Sequence, residues 1–139
     1  MYVGSIAIIV FSNILYNIAQ KSMPEKVNPF SALLVAYGIA MIITLVMLLV
    51  FKPDEGLIQS FKHINWASIG LGTAIVGLEF GFLMAYRAGW TISQGALVAN
   101  IILSIALIVI GVIFYKEAFT TSKAFGFILC LIGLVFISR

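Results

Sequence analysis

The stretch Trp66–Arg87 reads WASIGLGTAIVGLEFGFLMAYR, and its only charged residues are Glu79 and Arg87. About 20 helical residues cross the hydrocarbon core of a bilayer, so a run of this length and composition predicts a membrane-spanning helix. Four comparable runs flank it. We therefore predict an all-α membrane protein, a compact bundle of five transmembrane helices in which residues 1–139 form a single domain. The predicted helices are Tyr2–Gln20, Phe30–Phe51, Trp66–Arg87, Ser93–Phe114 and Ser122–Ser138.

The composition excludes most soluble functions. Of 139 residues, 63% are hydrophobic and 9% charged, whereas a soluble domain carries roughly 25% charged residues. The net charge of +3 comes from scattered side chains, so we expect no nucleic acid partner. One cysteine and one histidine leave no disulfide and no cysteine or histidine metal site. We predict a protein of the cell (inner) membrane in contact with lipid, with no cofactor, no metal and no enzymatic site.

The N-terminal residues and the connection after the second helix are the two segments whose structure is not given by apolar length alone. The opening residues MYVGSI lack the positive charge of a cleavable signal peptide, so the first apolar run is expected to be a retained helix. The connection after the second helix begins with the turn-like KPDEG and continues with apolar residues at helical spacing. That continuation is either a short helix on the membrane surface or an ordinary loop.

A polar stripe runs along the first helix. Asn13, Tyr16, Asn17 and Gln20 follow the spacing i, i+3, i+4, i+7, which places them on one face. Such a face avoids lipid, so it contacts either other helices or a wet cavity. Hydrogen bonds between membrane helices stabilise their association by about 0.6 kcal/mol each on average. A stripe of four polar side chains is more than helix association usually requires. We favour a cavity wall.

The glycines of Trp66–Arg87 and its glutamate occupy different faces. Gly77 and Gly81 form a GxxxG pair, which is typical of close helix packing. Gly70, Ala74 and Ala85 share their face, and at 100° per residue Glu79 points about 160° away from the centre of this small-residue seam. Acids inside a membrane span are functional by default, so we predict that Glu79 binds a proton or a cationic group. The alternative is a structural acid that is hydrogen-bonded or paired with a base.

The other helices add fewer polar groups. Asn100 is the strongly polar residue near the middle of the fourth helix, where a cavity lining and a helix contact are equally plausible. Thr44 is expected to bond its own backbone. In the last helix, Gly126 and Gly133 lie on one stripe with Cys130 and form a candidate packing face. The predicted substrate-contact set is Asn13, Tyr16, Asn17, Tyr37, Glu79, Tyr86 and Asn100.

Lysine and arginine are balanced across the predicted membrane. Lys52, Lys62, Lys116 and Lys123 fall on one side, and Lys21, Lys26, Arg87 and Arg139 fall on the other. Because an asymmetry in this count sets orientation, the balance is consistent with insertion in both orientations and with an antiparallel homodimer. A single orientation fixed by the first helix or by a partner is the alternative.

The last third of the chain contains a recognisable set of short motifs: Tyr86 with Ala88-Gly89, Lys116-Glu117, and Gly126 with Gly133. With these motifs it resembles the closing segment of an EamA-type domain of the drug/metabolite transporter superfamily, and Pro29 before the second helix also fits. Ser104 stands where many such domains have proline. The four-helix small multidrug resistance proteins are relatives, but their essential glutamate lies in the first helix, which has no acid here.

The resemblance implies a transporter of small molecules that works by alternating access. Full-length members carry two five-helix halves in opposite orientation, so a single half is expected to act as a homodimer. The alternative is a non-transporting membrane subunit or assembly partner of a larger membrane enzyme or lipid-linked sugar flippase. A pore is less favoured, because the predicted spans carry too few charged residues to line a wide aqueous lumen. A membrane enzyme is less favoured, because the sequence shows no nucleophile–base pair.

Overall fold

The computed structural model of the protein describes residues 2–52, 56–116 and 120–137. These residues form helices joined by short turns. The helices are α1 (Tyr2–Lys21), α2 (Pro29–Val50), α3 (Leu57–Lys62), α4 (Trp66–Arg87), α5 (Ile92–Phe114) and α6 (Thr121–Ile137).

The all-α membrane fold that the sequence predicts is confirmed. The bounds of α4 are those predicted, and the other long helices agree within one residue at each described end. The short helix that the sequence left open exists as α3. In the described parts, α1 (from Val3), α2, α4 and α5 are long and apolar enough to cross a membrane. A fifth crossing, by the 17 residues of α6, stays a prediction. Ser138, Glu117 and Arg139 lie outside the described residues.

Side chains at the helix starts explain why the helices begin where they do. Asn28 precedes α2, and its Oδ1 accepts hydrogen bonds from the amides of Phe30 (2.9 Å) and Ser31 (3.3 Å). Pro29 then occupies the first helical turn, where a missing N–H costs nothing. Thr91 caps α5 through the amide of Gln94 at 3.2 Å, and its hydroxyl donates to the Gln94 side chain at 3.0 Å. Both caps satisfy amides that a helix start leaves without partners.

The chain divides into two compact units. Unit 1 comprises Met1–Lys21 and Ala88–Arg139, and unit 2 comprises Ser22–Arg87. Within unit 1, α1 and α6 each pack against α5; within unit 2, α2 packs against α4. Most apolar side chains in the described part are exposed, which suits helices that meet lipid on their outer faces.

Candidate functional site

In unit 1, the polar stripe of α1 forms hydrogen-bonded pairs one helical turn apart. The Asn17 Nδ2 donates to the Asn13 Oδ1 at 2.6 Å and to the Asn13 carbonyl at 2.8 Å. The Gln20 Nε2 donates to the Tyr16 hydroxyl at 3.3 Å. Asn17 and Gln20 are each only 5% exposed. These bonds run along α1 and hold the stripe in one arrangement.

The depths of Asn13 and Asn100 in unit 1 can be compared through a contact at one end. The Lys21 Nζ donates to the Trp90 carbonyl at 3.1 Å, which brings the end of α1 to the start of α5. Asn13 lies eight residues back from Lys21 and Asn100 eight residues beyond Ile92, each about 12 Å along its helix. The two amides therefore lie at similar depth, and both side chains are exposed.

The backbone near Asn100 carries a further hydroxyl. The Ser104 Oγ donates to the Asn100 carbonyl at 2.7 Å. Because this bond satisfies the hydroxyl inside its own helix, Ser104 adds little free polarity to the surface. Thr44 on α2 behaves as predicted, since its Oγ1 donates to the Ala40 carbonyl at 2.8 Å.

In unit 2, aromatic packing fixes how α2 and α4 lie against each other. The rings of Phe30 and Phe80 stack with centroids 5.2 Å apart and planes 6° from parallel. Tyr86 packs against Phe82 at 6.0 Å and is 4% exposed. The two helices run antiparallel, because Arg87 at the end of α4 hydrogen-bonds the connection that leads directly into α2.

This packing brings Tyr37 and Glu79 towards each other. Helical side chains lean towards the N-terminus of their helix. In an antiparallel pair, the Tyr37 side chain therefore leans back towards Phe30, while Glu79, next to Phe80, leans towards Tyr37. Glu79 is half-buried, and the Tyr37 hydroxyl oxygen is buried with no hydrogen-bond partner among the described residues. A carboxylate and a hydroxyl thus face one region at membrane depth.

Arg87 has a role that the sequence did not reveal. Its Nη2 donates to the carbonyls of Val27 at 2.6 Å and Pro24 at 3.1 Å. These bonds direct the guanidinium towards the membrane surface and away from Glu79, two turns earlier on α4. The available signal was an arginine at a helix end near a proline-containing connection, but the contact spans about 60 residues and depends on the fold.

Open space lies beside the predicted packing glycines among the described residues of their own units. A methyl group added at Gly77, Gly81, Gly126 or Gly133 would meet nothing within 4 Å there outside its own helical backbone. Close helix packing at these positions stays a prediction, whether within one molecule or between subunits.

The predicted substrate-contact residues fall in both units. Asn13, Tyr16, Asn17 and Asn100 belong to unit 1, and Tyr37, Glu79 and Tyr86 belong to unit 2. Each group forms a local polar arrangement on its own pair of helices. Their meeting around one cavity stays a prediction.

The sequence matches the EamA-like transporter family over residues 2–139. The chain belongs to this family. The membership confirms the resemblance carried by the last third of the sequence. Together with the four long apolar helices, the family membership identifies an integral membrane protein. Members of the family are transporters and not enzymes. No curated protein and no solved structure matches the chain.

Proposed function

We propose that this EamA-like protein is a secondary transporter that moves small metabolites or drug-like compounds across the cell (inner) membrane by alternating access. One observation carries the proposal: the acid Glu79 lies half-buried within a membrane-spanning helix of a chain from a transporter family. A charge at the bilayer centre costs about 3 kcal/mol, so an acid there needs a reason. Exchanging a proton for a substrate provides one.

The remaining site residues have proposed roles around that acid. Asn13, Tyr16, Asn17 and Asn100 offer amide and phenol groups for a polar substrate, and Tyr37 and Tyr86 offer rings with a hydroxyl edge. Glu79 carries the proton or a cationic group of the substrate. A fifth crossing by α6 completes a five-helix bundle in this proposal.

Proton-coupled transport is testable before the substrate is known. Purified protein is placed in liposomes that contain pyranine, a pH-sensitive dye, under a pH gradient. Cationic, zwitterionic, anionic and neutral small molecules are then added outside in turn. We expect compounds of at least one charge class to change the internal pH faster than in protein-free liposomes. If every class gives the protein-free rate, proton-coupled transport is wrong.

We also propose that the functional unit is an antiparallel homodimer. The lysines and arginines assigned to the two sides are equal in number, four and four of the eight in the chain. Without a bias, both orientations are inserted. Two opposed copies would place their sites around a common midplane, which is a general design of secondary transporters.

Reporter fusions at the C-terminus test this dual topology. One reporter is active only inside the cell and the other only outside, and we expect signal from both. Replacing Lys21 and Lys26 with glutamine leaves two positive charges on their side of the membrane and four on the other, so the signal of one reporter should then dominate. Replacing Lys52 and Lys62 is the matched control and should favour the other signal. Activity of a single reporter in the unaltered protein would contradict the dual-topology homodimer.

The second candidate is a non-transporting subunit or assembly partner of a larger membrane enzyme or lipid-linked sugar flippase. The small-residue faces of Gly77 with Gly81 and of Gly126 with Gly133 favour it, since each has open space among the described residues of its own unit and small residues let a helix of another protein pack closely. This candidate predicts that the purified protein changes no flux in the liposome assay for any charge class.

A further inference from the structure

The two halves of unit 2 differ sharply in burial. Every residue from 66 to 78 in α4 is exposed, whereas residues 79–87 are all buried or half-buried except Gly81. Along α2 the change is weaker: Leu33 is buried and residues 36–38 are half-buried among exposed neighbours, whereas residues 39–47 are all exposed. Tyr37 and Glu79 both lie at this boundary. The pair therefore sits where the packed end of unit 2 gives way to its loosely covered end.

Arg87 fastens the packed end. Its guanidinium holds the carbonyls of Val27 and Pro24, and the Val27 amide also donates to the Pro24 carbonyl at 3.2 Å. One side chain at the last residue of α4 thus holds both ends of the turn that leads into α2. Behind it lie Leu83, with no exposed surface, and Leu33, with 2% exposed.

We infer that Arg87 is a latch that keeps α2 and α4 closed at this end and separates Glu79 and Tyr37 from that side of the membrane. The inference rests on the proposed transport function, in which the polar pair must reach each side in turn. Opening the latch would expose the pair to the side that the present arrangement closes.

The chemistry of the latch suits repeated opening. The guanidinium is always charged and can hold two acceptors at once. Its acceptors here are neutral backbone carbonyls, so releasing them leaves no buried anion without a partner. Water at the membrane surface can replace both bonds. Hydrogen bonds from a charged donor are strong enough to change an opening equilibrium by about tenfold or more when they are removed.

A cysteine probe reports the state of the latch. Cys130 is the single cysteine of the chain, so Cys130→Ala provides a background for Leu83→Cys. The protein is placed in nanodiscs, where both membrane faces are accessible, and its labelling by a hydrophilic methanethiosulfonate is timed. Rates are divided by that of Gln59→Cys, because Gln59 is an exposed polar residue of α3, outside the long apolar helices, and should react freely. We expect Arg87→Gln to speed labelling at position 83 about tenfold or more.

Three controls separate a latch from other effects. Lys26→Gln removes the same charge from the same turn, where Lys26 is exposed, and should leave the labelling rate unchanged. Arg87→Lys retains a charged donor and should fall between the parent and Arg87→Gln. Asn17→Cys probes a buried position of unit 1. General loosening of the protein would speed labelling there as well, whereas release of the latch would not.

The outcomes for the latch and for transport are distinguishable. Unchanged labelling at position 83 in Arg87→Gln would overturn the latch, and so would equal acceleration at position 17 or in Lys26→Gln. A selective increase supports the latch even if no compound class drives proton flux in liposomes, in which case the transport proposal fails alone. Proton-coupled flux with unchanged labelling would leave transport standing without the latch.

Discussion

Replacing Glu79 with glutamine should abolish the proton-driven flux of this protein in liposomes. Glutamine keeps the size and hydrogen-bonding groups of glutamate but cannot take up or release a proton. Glu79 is half-buried within a membrane span. Because no other acid lies within the predicted spans, no residue can substitute for it in the coupling step. Internal pH reported by pyranine, with a gradient and an active compound, is the measurement.

Two further variants serve as controls for Glu79→Gln. Glu79→Asp keeps a carboxyl group on a shorter side chain and should retain part of the flux. Glu25→Gln removes an exposed acid outside the spans and should behave as the unaltered protein. If Glu79→Gln still responds to the pH gradient as the unaltered protein does, Glu79 has no coupling role.

Exchange without a gradient shows which of the two proposed roles Glu79 has. Labelled compound inside the liposomes is exchanged against unlabelled compound outside at equal pH. If Glu79 only carries the proton, Glu79→Gln should still exchange compound while failing to use the gradient. If Glu79 binds a cationic group of the compound, exchange and gradient-driven flux should disappear together. Normal behaviour in both assays contradicts both roles.

The sequence predicted the helices well because their ends carry local signals. The bounds of α4 agree with the prediction since Asn65 accepts the amide of Ala67 at 2.9 Å at its start. Gly89 adopts a φ of 101° two residues after its end. That backbone conformation favours glycine, so the helix stops there. Each signal lies within a few residues of the boundary that it sets.

Contacts between distant helices were not predictable in the same way. The approach of Tyr37 to Glu79 depends on the register of α2 against α4, which the Phe30–Phe80 stack and the Arg87 bonds determine. Helical periodicity places Glu79 on a face of its own helix but does not say which residue of another helix lies opposite. Arg87 was missed for the same reason, because its acceptors are backbone carbonyls that carry no sequence signature.

The glycine pattern shows the opposite limitation. Spacing alone predicts a packing seam at Gly77 and Gly81, yet nothing approaches their faces within the described chain. A stripe of small residues indicates that another helix can approach closely, but it does not indicate which molecule that helix belongs to. Under the proposed homodimer, that molecule would be a second copy, which packing within one chain does not determine.

Replacing Asn17 with alanine should reduce flux about tenfold or more while lowering stability only slightly. Asn17 is 5% exposed and donates to both the Asn13 side chain and its backbone carbonyl. It therefore orients the exposed amide of Asn13, which is proposed to contact substrate. Loss of a well-placed polar contact worth about 1.4 kcal/mol corresponds to a tenfold change in binding. Initial flux of an active compound at low concentration is the measurement.

The same variant tests whether the α1 stripe serves transport or helix association. If the stripe joins helices, Asn17→Ala should lower stability, by about 0.6 kcal/mol per interhelical bond lost. The fall in flux should then match the fall in the folded fraction. If the stripe lines the substrate path, flux falls while the thermal midpoint in nanodiscs hardly moves. We expect the second result, because Asn17 orients the exposed amide of Asn13, which is proposed to contact substrate.

Thr44→Val is the matched control for removing a polar group within a span. The Thr44 hydroxyl donates to the carbonyl of Ala40 on its own helix and faces an exposed surface. Valine keeps the side-chain shape, so flux and midpoint should both be unchanged. Asn13→Ala should reproduce the flux loss of Asn17→Ala, and the double variant should add little, because Asn17 acts through Asn13. Independent, additive losses would show that Asn17 contributes by another route, and full flux in Asn17→Ala would remove the α1 stripe from the substrate path.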